Sequence, residues 1–471
     1  MKEDILNIFQ KDVQYDKDYA ELLDILSKEF EVSFDAIHGY NYNTVIAGFS
    51  NLVSKNRLLS FLMLLLSPVL IFFSLFKRNN ISPFESDIVL EEWRNDVYKK
   101  YYKSIIHNLD QKYKVVRLLY EKRAYDVLDH DDNIFKVFKV NDYIDKRIII
   151  KVLKVIILNV KLYYILYKLS KKYNINMFYI YVKFLLVYIK YHSIASCSNP
   201  RAYLSGYDLN AHTLKYEIFL KYNIKMVLMQ TSMRVNDSIS YKSGEIIFCY
   251  GSNQGNIYSR LTNNFKYVVG IGSIMNSPYL NMNYEKEYDI LFVEQLADYT
   301  TTVFASTDNY FILLSNLIKF SKEYPQYKIL YKSKLLPRTK NMQLSITHKI
   351  ILDELEQSKI IMDNKNDSYE KVVKSKITIG YFSALCFESI GLGTPTLFCY
   401  YDNCDFELFD FKNSGNDILL RDSNYELFRK TILDSLQAKD HNVYFNKYKQ
   451  IYMNQDKNIA RTISRRMEEL L

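Results

Sequence analysis

Apolar and polar positions change rhythm along this chain, and the changes divide it. Residues 18 to 29 repeat apolar positions at helical spacing, and a short strand is expected around Phe30 to Ile37. Helix-like patterning runs over residues 85 to 110, and KVVRLLYE at 114 to 121 reads as a strand. From residue 209 the alternation becomes regular. A helical stretch to 222 is followed by the buried-type run IKMVLMQ (224–230), then EIIFCYG (245–251), a polar helical piece and YVVGIGS (267–273). A polar, Asn-rich stretch from Ile274 to Glu287 interrupts the pattern, and YDILFVEQ restarts it. Helices are predicted over 307–323, 345–358, 368–375 and 384–391, separated by the strands YKILYKSK, IIMD, KITIGY and TLFCYY. Short apolar strands alternating with helices predict parallel α/β layers. The expected architecture is two Rossmann-like domains with a cleft between them, over residues 1–280 and 284–435, with a helical tail over 436–471.

Two stretches of the first part depart from this pattern. Residues 58 to 76, LLSFLMLLLSPVLIFFSLF, carry no charge. As a helix, such a run spans about 28 Å, close to a hydrocarbon core of about 30 Å. Pro68 in its middle favours a kink, and basic residues flank both ends (Lys55, Arg57, Lys77, Arg78), which argues against a simple crossing and for a dip into one leaflet, with a buried core helix as the alternative. The second stretch, residues 146 to 190, has ten Lys or Arg and no Asp or Glu. Lys151, Lys154, Lys161, Lys168 and Lys172 recur at helical spacing among aliphatic and Tyr residues, the pattern of a basic helix at an anionic membrane surface, with a globular helix bearing a solvated Lys face as the alternative.

Composition narrows the class. The chain has 471 residues, 48% apolar and 24% charged, so it can bury a large core. Twelve Gly and seven Pro exclude collagen-like or linker-rich architecture. Five Cys without CxxC spacing or nearby His argue for free thiols and against a zinc site. The net charge of +9 would suit nucleic acid, but the cations alternate with aliphatics instead of forming an Arg-rich or aromatic platform, so an anionic membrane or substrate is the better partner. Asp129-His130-Asp131 sits in a turn-like DHDDN context, and no metal site is expected there.

The window most informative for chemistry is SKITIGYFSALCFESIGLGTPTLFCYYD, residues 375 to 402. A strand runs into Gly380, and Ser383 stands where a helix begins. A helix N-terminus offers unpaired N–H groups and partial positive charge to a phosphate, so Ser383 and Ala384 are candidate anion ligands. Glu388 follows about a turn later, placed for a ligand hydroxyl. Gly391 and Gly393 end the helix and Pro395 launches the next strand. In open parallel sheets ligands sit beyond the carboxyl ends of strands, where this turn falls.

The order of Ser383, Glu388, Ser389, Gly391, Gly393 and Pro395 resembles the donor-domain signature of GT-B glycosyltransferases of bacterial capsule and lipopolysaccharide synthesis. The strand ending at Gln230, then IIFCYGSNQ and FKYVVGIGS, fit the same likeness, which covers roughly residues 190 to 410. It implies a GT-B-like fold that binds a nucleotide-sugar in the cleft, with no cofactor and no metal. Many relatives have Gln-His-Gly where this chain has Gln230-Thr231-Ser232, and a Lys or His-Pro element where it has Lys332-Ser333-Lys334-Leu335-Leu336-Pro337-Arg338, with cations but no His. Lys332 and Lys334 are therefore expected to face the leaving phosphate, Gln230 and Arg234 to contact acceptor or phosphate, and Asp208 or His212 to act as general base. The activity expected is sugar transfer to a lipid-linked or growing surface glycan at the cytoplasmic face of the membrane. A glycerol- or ribitol-phosphate transferase and a non-catalytic scaffold are the alternatives.

Overall fold

The computed structural model describes residues 8–47, 85–92, 102–119, 136–139, 145–206, 212–231, 233, 241–260, 263–280, 283–294, 307–333, 344–363, 367–381, 383–401, 418–438 and 448–471. The apolar run 58–76, the DHD triplet, Asp208, Arg234 and Lys334 lie outside them. Among the described residues no helix is long and apolar enough to cross a membrane.

Helix α1 (Lys17–Phe30) starts where the Asp16 carboxylate accepts from Asp18 N, and it buries the stripe Tyr19, Leu22, Leu23, Leu26 and Phe30. Glu31 then turns left-handed, with φ of 55°. The strand expected over Phe30 to Ile37 is instead the start of a second helix, α2 (Phe34–Ala47). Ser33 explains the difference: its Oγ accepts from Ala36 N at 3.1 Å, an N-terminal cap that the apolar pattern does not reveal.

A first sheet follows, built from β1 (Ile88–Glu92), α3 (Lys103–Asp110), β2 (Val115–Leu119), β3 (Lys136–Lys139), three consecutive helices α4 (Lys146–Leu158), α5 (Val160–Tyr173) and α6 (Met177–Ser198), β4 (Ala202–Ser205), α7 (Thr213–Leu220), β5 (Lys225–Met229), β6 (Ser243–Cys249), α8 (Ser252–Tyr258) and β7 (Asn264–Gly270). Its seven strands pair in parallel in the order β3-β2-β1-β4-β5-β6-β7. The helix expected over 85–110 resolves into β1 and α3. Ile88, Val89 and Leu90 are buried between β2 and β4, and a short run apolar on both faces has no period to separate strand from helix.

The second sheet comprises β8 (Tyr288–Val293), α9 (Thr307–Glu323), β9 (Ile329–Lys332), α10 (Ile346–Gln357), β10 (Ile361–Asp363), α11 (Ser368–Val373), β11 (Ser375–Gly380), α12 (Ala384–Gly391), β12 (Thr396–Cys399), β13 (Leu419–Leu420) and α13 (Tyr425–Gln437). Its six strands are parallel in the order β10-β9-β8-β11-β12-β13. Strand order reverses between β1 and β4 in the first sheet and between β8 and β11 in the second, which gives each a switch point. The last helix, α14 (Ile459–Leu470), returns to the first lobe. Ile459, Ile463 and Met467 share an apolar cluster with Leu90, Ile105 and Ile106, and Lys112 pairs with Glu468 at 2.9 Å.

The basic region is not one helical face. It breaks at Asn159 between α4 and α5, and four of its five periodic lysines turn toward acids of the N-terminal segment. Lys151 pairs with Glu31, Lys161 with Glu21, Lys168 with Asp18 and Lys172 with Asp16. The charge periodicity therefore reports packing against α1 and its flanks, with Lys154 the periodic lysine outside that set.

Candidate functional site

The turn from β11 to α12 is built as its residues dictate. Strand β11 lies against the helix that follows it so closely that a β-carbon on Gly380 would collide with Cys386 Sγ. Ser383 is extended (φ −112°, ψ 142°) and buried, and its side chain makes no capping bond to its own helix. Ala384 opens the helix, half-buried. At the other end Gly393 takes φ of 83°, and Pro395 O accepts from Thr378 N as β12 begins.

Glu388 lies on the seam between the lobes. It is 3% exposed, and its carboxylate accepts from Ser273 Oγ at 2.7 Å, from Tyr369 OH at 3.0 Å and from Tyr250 OH at 3.5 Å. Tyr250 and Ser273 follow β6 and β7 of the first sheet, Tyr369 follows β10 of the second, and Glu388 follows β11. All four come from segments leaving the carboxyl ends of strands, so these edges of the two sheets meet here. Burial pushes the Glu388 carboxyl up to about 7, against the opposing pull of the three hydroxyls. Its backbone O accepts from Asn276 Nδ2 at 2.9 Å, and Asn276 Nδ2 also donates to Gln455 Oε1 at 2.8 Å. Gln455 precedes α14, so the returning chain closes the same seam.

The structure ties Gln230 into this network. Its Oε1 accepts from Tyr250 N at 2.9 Å and its Nε2 donates to Gln254 Oε1 at 2.5 Å, which fixes the residue whose hydroxyl reaches Glu388. Lys332 ends β9, buried, with Nζ 3.5 Å from Asp363 Oδ2 at the end of β10. Ser333 beside it donates to Glu294 Oε2 at 2.7 Å, just past β8. A polar cluster thus lines the carboxyl edge of three adjacent strands. Sequence reading found its cation but missed Glu294 and Asp363. Their signal is positional: each stands at the end of an apolar strand.

His212 does not stand in that seam. It caps α7, Nδ1 accepting from Lys215 N at 3.1 Å, and its ring packs against Tyr40 and Tyr191. Burial, reinforced by Lys215, Lys242 and Lys190, holds its pKa well below the usual imidazole range. Beside it lies a group that the sequence did not suggest. Glu91, next to the last residue of β1 at the switch point, accepts from Ser205 Oγ of β4 at 2.8 Å and from Lys215 Nζ at 2.5 Å. Lys215 is fully buried, and burial lowers its pKa although Glu91 pulls it up. Lys190 is lowered to about 7 by burial, with Glu91 opposing and Lys215 adding to the shift.

Two parallel sheets whose carboxyl edges meet at a seam, with the last helix returned to the first lobe, form a GT-B-like arrangement. No family model matches the chain, and no curated protein matches its sequence. Solved structures similar to it include UDP-GlcNAc 2-epimerase from Neisseria meningitidis bound to UDP-GlcNAc, 9% identical over 82% of this chain and 100% of that one, with a TM-score of 0.44. A variant of the wall teichoic acid polymerase TagF is 14% identical over 88% of this chain and 98% of that one, with a TM-score of 0.48. S. aureus MnaA in complex with UDP is 10% identical over 82% and 98%, with a TM-score of 0.48.

Proposed function

We propose that the chain is a GT-B-type glycosyltransferase that moves a sugar from a nucleotide-sugar donor to a lipid-linked or growing surface glycan at the cytoplasmic face of the membrane. One observation carries the reading: Ser383 precedes and Glu388 sits on a helix launched from a parallel strand's carboxyl end, and Glu388 is held by hydroxyls from both lobes.

In this reading the donor diphosphate lies at the start of α12. There the Ser383 hydroxyl, left uncommitted by its own helix, and the first N–H groups offset the phosphate charge. Glu388 takes a donor hydroxyl in exchange for one of its protein hydroxyls, so donor binding and the lobe contact share one carboxylate. Lys332, with Lys334, favours departure of the nucleotide. As the acceptor oxygen bonds to the sugar's anomeric carbon, the bond from that carbon to phosphate breaks, the nucleotide diphosphate leaves, and a first-lobe base takes the acceptor's proton. Asp208 is the candidate base. His212 suits the role less well, because its Nδ1 is engaged in capping α7.

Calorimetric titration with CMP, UDP, GDP and dTDP nucleotides tests the donor site. A nucleotide is expected to bind, and Ser383→Ala with Glu388→Gln to abolish binding. Product mass from the matching donors then separates an added sugar from an added phosphodiester. Absence of binding to any nucleotide overturns the transferase reading.

A further inference from the structure

Helices α4 and α5 bury one apolar stripe each, Ile149, Val152, Val155 and Ile156 on α4 and Leu162, Ile165, Leu166 and Leu169 on α5. Each also carries a second apolar stripe that faces outward. On α4, Ile150, Ile157 and Leu158 are 46%, 62% and 77% exposed; on α5, Val160, Tyr164 and Tyr167 are 75%, 64% and 56% exposed. Positions 150, 154, 157 and 158 share one face of α4, and 160, 164, 167 and 171 share one face of α5. These six side chains lie within eighteen residues, whereas all the other described residues together expose ten large apolar side chains. A solvated face would be polar here, so the corner around Asn159 is built for an apolar neighbour.

The charges beside it say which kind. A groove of about 390 Å³ runs along α4 next to the corner, lined by Arg147, Lys151 and Lys154, one per turn, with Ile150, Leu158 and Glu29. Asp145 holds Arg147 and Glu31 holds Lys151, while Lys154 is exposed and makes no ion pair among the described residues. Lys171 continues the α5 face, also exposed. Tyr side chains with an apolar body and polar tip, and aliphatics beside lysines where the two helices join, match the chemistry of a bilayer surface, where acyl chains lie next to phosphates.

We propose that the α4–α5 corner is a membrane-docking surface, with Ile157, Leu158, Val160 and Tyr164 entering the acyl boundary of an anionic bilayer and the Arg147–Lys151–Lys154 groove receiving a phospholipid headgroup phosphate. This rests on the membrane part of the reading above, and it assigns that part to a surface independent of residues 58–76 and of the donor site.

Flotation of the full chain with phosphatidylcholine vesicles, with and without phosphatidylglycerol, tests it, with nucleotide binding as the folding control. Wild type should float with the anionic vesicles, and added salt should weaken the binding. Ile157→Ser/Leu158→Ser/Val160→Ser should weaken it more than about tenfold, since three apolar side chains no longer leave water. Lys154→Glu should weaken binding to anionic vesicles by about fivefold or more and leave neutral vesicles unaffected. Nucleotide binding should persist in both variants. If the triple variant floats as well as wild type, the corner is not the docking surface, although the membrane reading stands. If wild type floats with no vesicle, both fall. If light scattering shows the triple variant splitting a dimer while vesicle binding persists, the corner joins two copies and the proposal fails. Should the triple variant lose nucleotide binding too, Lys154→Glu decides alone: a loss confined to anionic vesicles supports the proposal, and no loss overturns it.

Discussion

Ser273 and Glu388 meet across the seam between the lobes, the hydroxyl donating to Oε1 at 2.7 Å, with both groups removed from water. The carboxylate has two further hydroxyl donors, from Tyr369 and Tyr250, and among the described residues no cation is a hydrogen-bond partner. Its ionised form is held by neutral donors in a buried place, and its protonated form is favoured by the same burial.

That arrangement makes stability depend on pH. Glu388 is raised from 4.5 to about 7 in the folded chain, so between these values the native state binds more protons than the unfolded one. Its contribution is fully present below pH 4.5 and is lost as pH rises through about 7, a loss of about 3 kcal/mol at most. Glu388→Gln removes the titration. Urea denaturation of both proteins between pH 4.5 and 8 should show wild type losing stability relative to the variant as pH rises. Parallel curves would mean that Glu388 titrates at its ordinary value and that the seam admits water.

A second prediction concerns the switch point of the first sheet. Glu91 and Lys215 are both buried and paired, so removing one partner strands the other's charge. Glu91→Gln should cost about 3–5 kcal/mol in denaturant unfolding, and Glu91→Leu/Lys215→Met should recover most of it. A loss of under about 1 kcal/mol in the single variant would place the pair in contact with water.

The glycines that end α12 separate local strain from contact across the seam. At Gly393, φ of 83° disfavours any side chain, yet a β-carbon there would meet nothing within 4 Å. Gly393→Ala should therefore cost about 1–2 kcal/mol of backbone strain alone. Gly391→Ala would press on Met453, Asn276 Nδ2 and Gln455 Oε1, the groups that bring the returning chain to Glu388. It should lower stability further and weaken nucleotide binding, while Gly393→Ala leaves binding intact. Equal effects on binding would detach the seam from the donor site.

Helix α12 runs over the residues read from the sequence, because a strand-ending glycine and a Gly-x-Gly-x-Pro stop act locally. Helix α2 was not legible, since a single cap at Ser33 decides its start. Glu91 and Ser205 are 114 residues apart, and Ser273 and Glu388 are 115 apart. Strand order brings both pairs together, and no pattern along the chain encodes which strand ends become neighbours. The lysine periodicity was visible, but its meaning depended on acids of α1 and its flanks, more than a hundred residues earlier.

The last prediction addresses the anion site directly. Ser345 caps α10 through its side chain, accepting from His348 N at 3.2 Å, whereas Ser383 occupies the same position before α12 and makes no such bond. If both serines were merely caps, replacing either with alanine would cost about 1 kcal/mol. Since Ser383 makes no capping bond, Ser383→Ala should change stability by less than about 0.5 kcal/mol, and Ser345→Ala should show the full loss in urea denaturation. The effect of Ser383→Ala should appear in nucleotide affinity, as about a tenfold rise in Kd for one lost hydrogen bond to charged phosphate. Ser345→Ala should leave that Kd unchanged. The opposite division, with stability lost at Ser383 and nucleotide affinity intact, would make the turn an ordinary helix start and remove the phosphate site from the second lobe.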